Sequence, residues 1–126
     1  MNSTPVADNE QLYRSIYRTP WHKYVDPDGR PTSRNFKLRP KDKGKLSVDA
    51  ASLTTPEQSL RDLSKFALAS IGAVDVDAIG LSAYLDPCTV EVQGFDNPAH
   101  AYIWGMDDDD DILPALLAQK ATVILK

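Results

Sequence analysis

Seven cations crowd a span of sixteen residues: Arg30, Arg34, Lys37, Arg39, Lys41, Lys43 and Lys45. Phe36 is interleaved among them, and Trp21, His22 and Tyr24 lie just upstream. Cations beside aromatic rings are what phosphate contacts and base stacking require. The same cations suit an acidic protein surface, which they would steer in and hold by charge-assisted hydrogen bonds. Two facts weigh against nucleic acid. The chain carries a net charge of −4, whereas nucleic-acid domains are usually basic overall. Asp26, Asp28 and Asp42 also dilute the patch. The expectation is therefore a protein partner, contacted by Arg30, Arg34, Phe36, Lys37, Arg39 and Lys41, with nucleic acid as the alternative.

Other chemistries are thinly supplied. Transition-metal sites want His and Cys within reach of one another, and only His22, His100 and Cys88 exist, far apart in the chain. The run Asp107 to Asp111 lacks the ligand spacing and glycine of a calcium-binding EF-hand loop, so it reads as an acidic helix entrance and no metal is expected. Cys88 is a candidate nucleophile beside a histidine, but a lone cysteine behaves as a small apolar side chain. Asp75 and Asp77 would share a strand face. No serine-hydrolase elbow, phosphate-binding glycine loop or dinucleotide fingerprint is present, so no cofactor is expected. The order Arg14, then Thr32 or Ser33, then Glu91 is loosely like ADP-ribosyltransferase-type enzymes. A nucleotide- or NAD-acting enzyme is therefore the alternative to a non-enzymatic reading, and convergence of these residues on one concave pocket is what it needs.

The elements that must position these residues fit one domain. At 126 residues the chain has the size of a single domain, and the ordinary apolar fraction of 42% supplies a core without staples. Charge is unevenly placed. Residues 1–45 carry ten Lys/Arg against five Asp/Glu, a net of +5, and residues 46–126 carry four against thirteen, a net of −9. The asymmetry suits two surfaces with different partners, or a basic half folded against an acidic one. One cysteine cannot make an internal disulfide. No apolar run approaches the ~18 residues of a membrane span, and the start lacks the pattern of a secretion signal. The chain is read as cytoplasmic, with no membrane partner.

Along the chain, residues 1–10 read as a disordered polar leader and 11–126 as the domain. Leu12 to Tyr17 favours a first strand. Residues 21–45 form a long basic loop with a turn at Asp26-Pro27-Asp28-Gly29, tethered by Phe36 and Leu38. Leu46 to Ala50 alternates as a short strand. Thr55 and Pro56 open a helix expected over 55–71, with Leu60, Leu63, Phe66, Ala67 and Ile71 on its apolar face and Gly72 as its stop. Strands are expected at Ala73–Ile79, Thr89–Phe95 and His100–Trp104. The helix should pack on a sheet that includes Val90, Val92, Tyr102 and Trp104. The five aspartates then lead into a helix over about 112–120, where negative charge meets the positive end of the macrodipole. Thr122–Leu125 is that helix's end or a final strand. The whole is an α+β fold with an antiparallel or mixed sheet packed by two helices, 55–71 and 112–120.

Gly29-Arg30-Pro31-Thr32-Ser33-Arg34-Asn35-Phe36, Lys45-Leu46-Ser47-Val48 and Asn97-Pro98-Ala99-His100-Ala101 together resemble small conserved hypothetical proteins of bacteria. In these a Gly-x-Pro-Ser-Ser-x-x-Phe stretch precedes a Leu-Ser-Val strand and a Pro-x-His-Ala strand comes late; here Thr32 stands at the first serine position. The resemblance spans most of the chain after Tyr13. It implies a bacterial, intracellular, single-domain protein and brings no catalytic residue. The expected function is a small accessory or macromolecule-interaction protein without a readable catalytic site.

Overall fold

The computed structural model describes residues 4–60, 62–87 and 97–126. Among these residues seven strands form one sheet: β1 (Thr4–Pro5), β2 (Gln11–Tyr17), β3 (Leu46–Ala50), β4 (Phe66–Gly72), β5 (Ser82–Leu85), β6 (His100–Trp104) and β7 (Thr122–Leu125). Their spatial order is β1-β5-β6-β3-β2-β4-β7, and every neighbouring pair is antiparallel. The helices are short: α1 (Trp21–Tyr24), α2 (Pro56–Leu60), α3 (Ala73–Ala78) and α4 (Ile112–Lys120). The fold is α+β.

Strand alternation builds the core. Leu12 and Ile16 of β2, Leu46 and Val48 of β3, Ile71 of β4, and Ala101 and Ile103 of β6 are all buried. Phe36 and Leu38 from the basic segment, Val76 of α3, and Leu117 and Ala118 of α4 cover most of them. A smaller cluster joins Ile16, Ala67, Ala69 and Val25 to Trp21 and Tyr24 of α1. On the opposite face Ser59 of α2 donates a 2.6 Å hydrogen bond to Asp49.

The sheet has a seam. β2 pairs with β4 along its whole length, Gln11↔Gly72 to Tyr17↔Phe66. It pairs with β3 only at Leu12↔Ala50 and Tyr13↔Asp49. Beyond Tyr13 the two strands part, and Arg14 fills the opening. Its Nε donates to the Asn35 carbonyl at 2.9 Å and its Nη1 to the Ser47 carbonyl at 2.7 Å. A side chain thus supplies donors to backbone oxygens, one of them on a strand that has lost its neighbour, as buried backbone groups demand.

Three expectations need correction. The 55–71 helix does not form: α2 ends at Leu60, and Phe66 to Gly72 is strand β4. Thr55 does cap α2, accepting from the Gln58 N–H at 3.2 Å. The break is an Asx-type turn, in which Asp62 Oδ1 accepts from the Ser64 N–H and hydroxyl. Ala67, Leu68, Ala69 and Ile71 are buried because β4 is an inner strand, so its apolar run carries no period that separates strand from helix. Leu63 is 54% exposed. Second, the strand expected at Ala73–Ile79 is helix α3 with Ala73 and Val76 buried, which places Asp75 and Asp77 on a helix. Third, Thr4 and Pro5, assigned to the leader, pair with Leu85 and Tyr84 of β5. The strand expected at Thr89–Phe95, with Val90 and Val92, lies outside the described residues. His100–Trp104, Leu46–Ala50 and α4 fall where the sequence places them, and Thr122–Leu125 takes the strand option.

The 21–45 connection is not structureless. Asp26 organises the expected turn: its side chain accepts from the N–H groups of Asp28 and Arg30, both at 2.9 Å, and Gly29 takes φ +83°. Val25 and Pro31 form a bridge. Ser33–Phe36 and Pro40–Asp42 are single 3-10 turns. Buried Asn35 ties the segment to α1 by donating to the Tyr24 carbonyl at 2.7 Å. At Gly44 (φ +81°) a Cβ would stand 2.8 Å from Cζ3 of Trp104, so this turn needs glycine for both conformation and space.

Candidate anion-binding site

Where β2 and β3 part, the 33–39 segment crosses the opening and leaves a cleft of about 650 Å³. Arg14, Arg34, Lys37 and Arg39 line it with Ser15, Ser33 and Asn35, and Tyr17, Tyr24 and Phe66 form its aromatic side. That volume lies within the ~300–1,000 Å³ of small-molecule sites. The aromatic rings support one another: Tyr17 lies 5.5 Å from Tyr24 and 5.1 Å from Phe66 between centroids. The Arg34 guanidinium stands 5.9 Å from the Tyr24 ring centre, within cation–π range.

The cations differ in what they already hold. Arg14 is held by main-chain carbonyls, not by a carboxylate, and burial lowers its pKa to about 10, against the opposing pull of Asp42. It stays cationic at neutral pH. A guanidinium has five N–H donors, and two are used. Among the described residues no buried side-chain nitrogen lacks a partner, so Nη2, which has none, opens to solvent. Lys37 donates to the Asp110 carbonyl at 3.1 Å and pairs with the Asp111 carboxylate. Arg39 pairs with Asp42 at 3.5 Å. Among the described residues neither Arg14 nor Arg34 has a carboxylate partner.

The expected partner-binding residues therefore divide. Arg30, Arg34, Arg39 and Lys41 are exposed and are termed the ridge of the segment. Lys37 is half-buried and engaged by the start of α4. Phe36 has no exposed surface; it is the anchor of the segment and is withdrawn as a contact residue. A shallower depression beside the ridge is lined by Arg39, Lys43, Trp104, Asp107 and Asp108, so cations and acids share that rim.

Of the ADP-ribosyltransferase-like trio, Arg14 and Ser33 line the same cleft, and Glu91 lies outside the described residues, as does Cys88. Among the described residues no group of His, Cys, Asp and Glu could hold a metal ion. One grouping escaped sequence reasoning. His100, with its side chain 12% exposed, donates from Nδ1 to the Asp86 carbonyl (2.8 Å), and Ser47 Oγ stands 3.4 Å from Nε2. The Asp86 carboxylate is 3.9 Å from Nδ1. The register Ser47↔Tyr102 and Asp49↔His100 brings these residues together across β3 and β6, a proximity that no local motif encodes. The ring here fastens the Asp86 backbone to the sheet. No protein-family model matches the chain, and no curated protein and no solved structure matches it either.

Proposed function

We propose that this protein is a small, non-catalytic interaction module of the bacterial cytoplasm that docks an acidic protein partner on the ridge formed by Arg30, Arg34, Arg39 and Lys41. The observation that carries the reading is that the chain's own acid run leaves the ridge free. Among the described residues the run Asp107 to Asp111 forms an ion pair with one cation, Lys37, and Arg39 of the ridge pairs with Asp42 rather than with that run. The ridge backbone is meanwhile fixed by buried Phe36, Leu38 and Asn35, so binding has side chains to order there but little backbone. Asp107 and Asp108 border it beside Arg39 and Lys43. A phosphate polymer following the cations would meet those acids, whereas a protein of mixed charge is complemented by them. The cytoplasmic setting is supported by the single cysteine.

The test is recovery of a partner from the native cell, with and without nuclease. Wild-type protein is expected to recover a protein regardless of nuclease, and the triple variant Arg30→Glu, Arg34→Glu, Lys41→Glu to lose it at an unchanged melting temperature. Recovery that vanishes with nuclease, or survives the reversal, overturns the reading. A second reading, a nucleotide- or NAD-acting enzyme, is favoured by one observation, the shared cleft of Arg14 and Ser33. Turnover of a nucleotide that is lost on Ser33→Ala would establish it in place of the first.

A further inference from the structure

We infer that the cleft between β2 and the 33–39 segment is a binding site for a nucleoside phosphate, with the phosphoryl group at Arg14, Ser33 and Arg34 and the base on the Tyr17–Tyr24 side. The site meets the docking ridge at Arg34 and Arg39; the rest of its lining comes from β2, β4, α1 and Ser33, Asn35 and Lys37 of the connecting segment, and Arg30 and Lys41 are not part of it.

Three observations converge on this ligand class. First, the Arg14 guanidinium is oriented before any ligand arrives. Carbonyls of Asn35 and Ser47 hold its Nε and Nη1, so the remaining donors are fixed in direction, and Arg14 lines the cleft. An arginine presented in this way favours an oxyanion. Second, its charge and that of Arg34 have no carboxylate partner among the described residues, while the hydroxyls of Ser15 and Ser33 line the same space. Third, the same cleft is lined by aromatic rings, Tyr17, Tyr24 and Phe66. Tyr17 is 50% exposed although its ring contacts both Tyr24 and Phe66, which leaves supported aromatic surface on which a planar ring can pack. An acidic peptide would use the cations and leave the rings idle, and an apolar ligand would strand the arginines. A phosphate joined to a planar base uses both.

Nucleoside phosphate occurs free and as a unit of a strand, and the experiment separates the two. Binding to the full chain is measured by calorimetry with 5′-AMP, adenosine, inorganic phosphate, O-phosphotyrosine and an oligothymidylate. 5′-AMP or the oligonucleotide is expected to bind at least about tenfold more tightly than phosphate or adenosine alone, a difference of ~1.4 kcal/mol. The tighter of the two identifies free or strand-borne nucleotide as the source. Arg34→Ala, an exposed position, is expected to weaken nucleotide and phosphate alike. Tyr17→Ala is expected to remove the advantage of nucleotide over phosphate and leave phosphate binding unchanged. Both residues are outside the core, so folding can be verified for each by its melt. The inference is overturned if 5′-AMP and the oligonucleotide bind no better than phosphate, if O-phosphotyrosine outcompetes both, or if neither variant changes binding. Because partner recovery is read separately, with the ridge variants Arg30→Glu and Lys41→Glu that leave the cleft intact, failure of one proposal does not decide the other.

Discussion

Arg14 stands where a hydrogen-bonded ladder stops, and its removal should show in stability before it shows in binding. Arg14→Gln takes the donors from the Asn35 and Ser47 carbonyls. Both contacts border the cleft, so water partly replaces them, and a loss of ~1–3 kcal/mol is expected from the denaturant midpoint at constant slope. The leucines at the end of α2 make a sharper contrast. Leu60 is buried and Leu63 is exposed, so Leu60→Ala is expected to cost ~2–5 kcal/mol and Leu63→Ala less than ~0.5 kcal/mol. Equal losses would restore the long helix that the leucine spacing suggests. Between the two leucines, Asp62 is held below its ordinary 3.8 by the Ser64 hydroxyl first and the Ser64 N–H second. The folded state binds this proton less readily than the unfolded one. The support it gives the turn is therefore complete above about pH 4 and fades as pH falls below 3.8. The melting difference between wild type and Ser64→Ala should close over that acid range, and a difference constant down to pH 2 would contradict it.

At the scale of elements, what was legible was what local chemistry determines. The Asp26 turn, the Thr55 cap, the β3 and β6 alternations and the acid-led α4 are each specified by residues within a few positions of one another. β4 was not, because an inner strand buries both faces and its run Phe66 to Ile71 matches a helix as well as a strand. Nor was α3, whose Val74-Asp75-Val76-Asp77 alternates like a strand while the helix buries Ala73 and Val76, three apart. The acid run itself is not uniform. Asp110 Oδ1 accepts from the N–H groups of Ile112 at 2.8 Å and Leu113 at 2.9 Å, so it caps α4, while Asp109 is exposed. Asp110→Ala is expected to lower stability by ~1 kcal/mol, and Asp109→Ala to leave the melt unchanged. The cleft was half-legible: its cations and Ser33 lie in one conspicuous stretch, but Arg14, Tyr17 and Phe66 join it only through the β2–β4 register.

At the scale of the whole molecule, one ion pair among the described residues, Lys37 with Asp111, joins the basic segment to the acid run, while Arg39 pairs locally with Asp42. Lys37→Glu sets two like charges together at the start of α4 and is expected to lower the melting temperature. Among the described residues the Arg30 and Lys41 side chains make no ion pair, and Arg30→Glu and Lys41→Glu are expected to leave the fold in place. If all three reversals destabilise equally, the ridge is paired within the chain. Partner binding should also weaken as salt rises, since exposed charges are screened over ~8 Å at physiological ionic strength. The seam has a further consequence, in time rather than in space. Two residue pairs and one arginine join the β1-β5-β6-β3 half of the sheet to the β2-β4-β7 half. In an antiparallel strand a residue's N–H and C=O point to the same side, so the Ser47 amide faces the opening with its carbonyl. Amide protons there should exchange with solvent through local opening, long before those of the β2–β4 ladder, which report global unfolding. A ligand lodged in the cleft would rivet the two halves, and slowed exchange at Ser47 would record its arrival without any shift in the average structure.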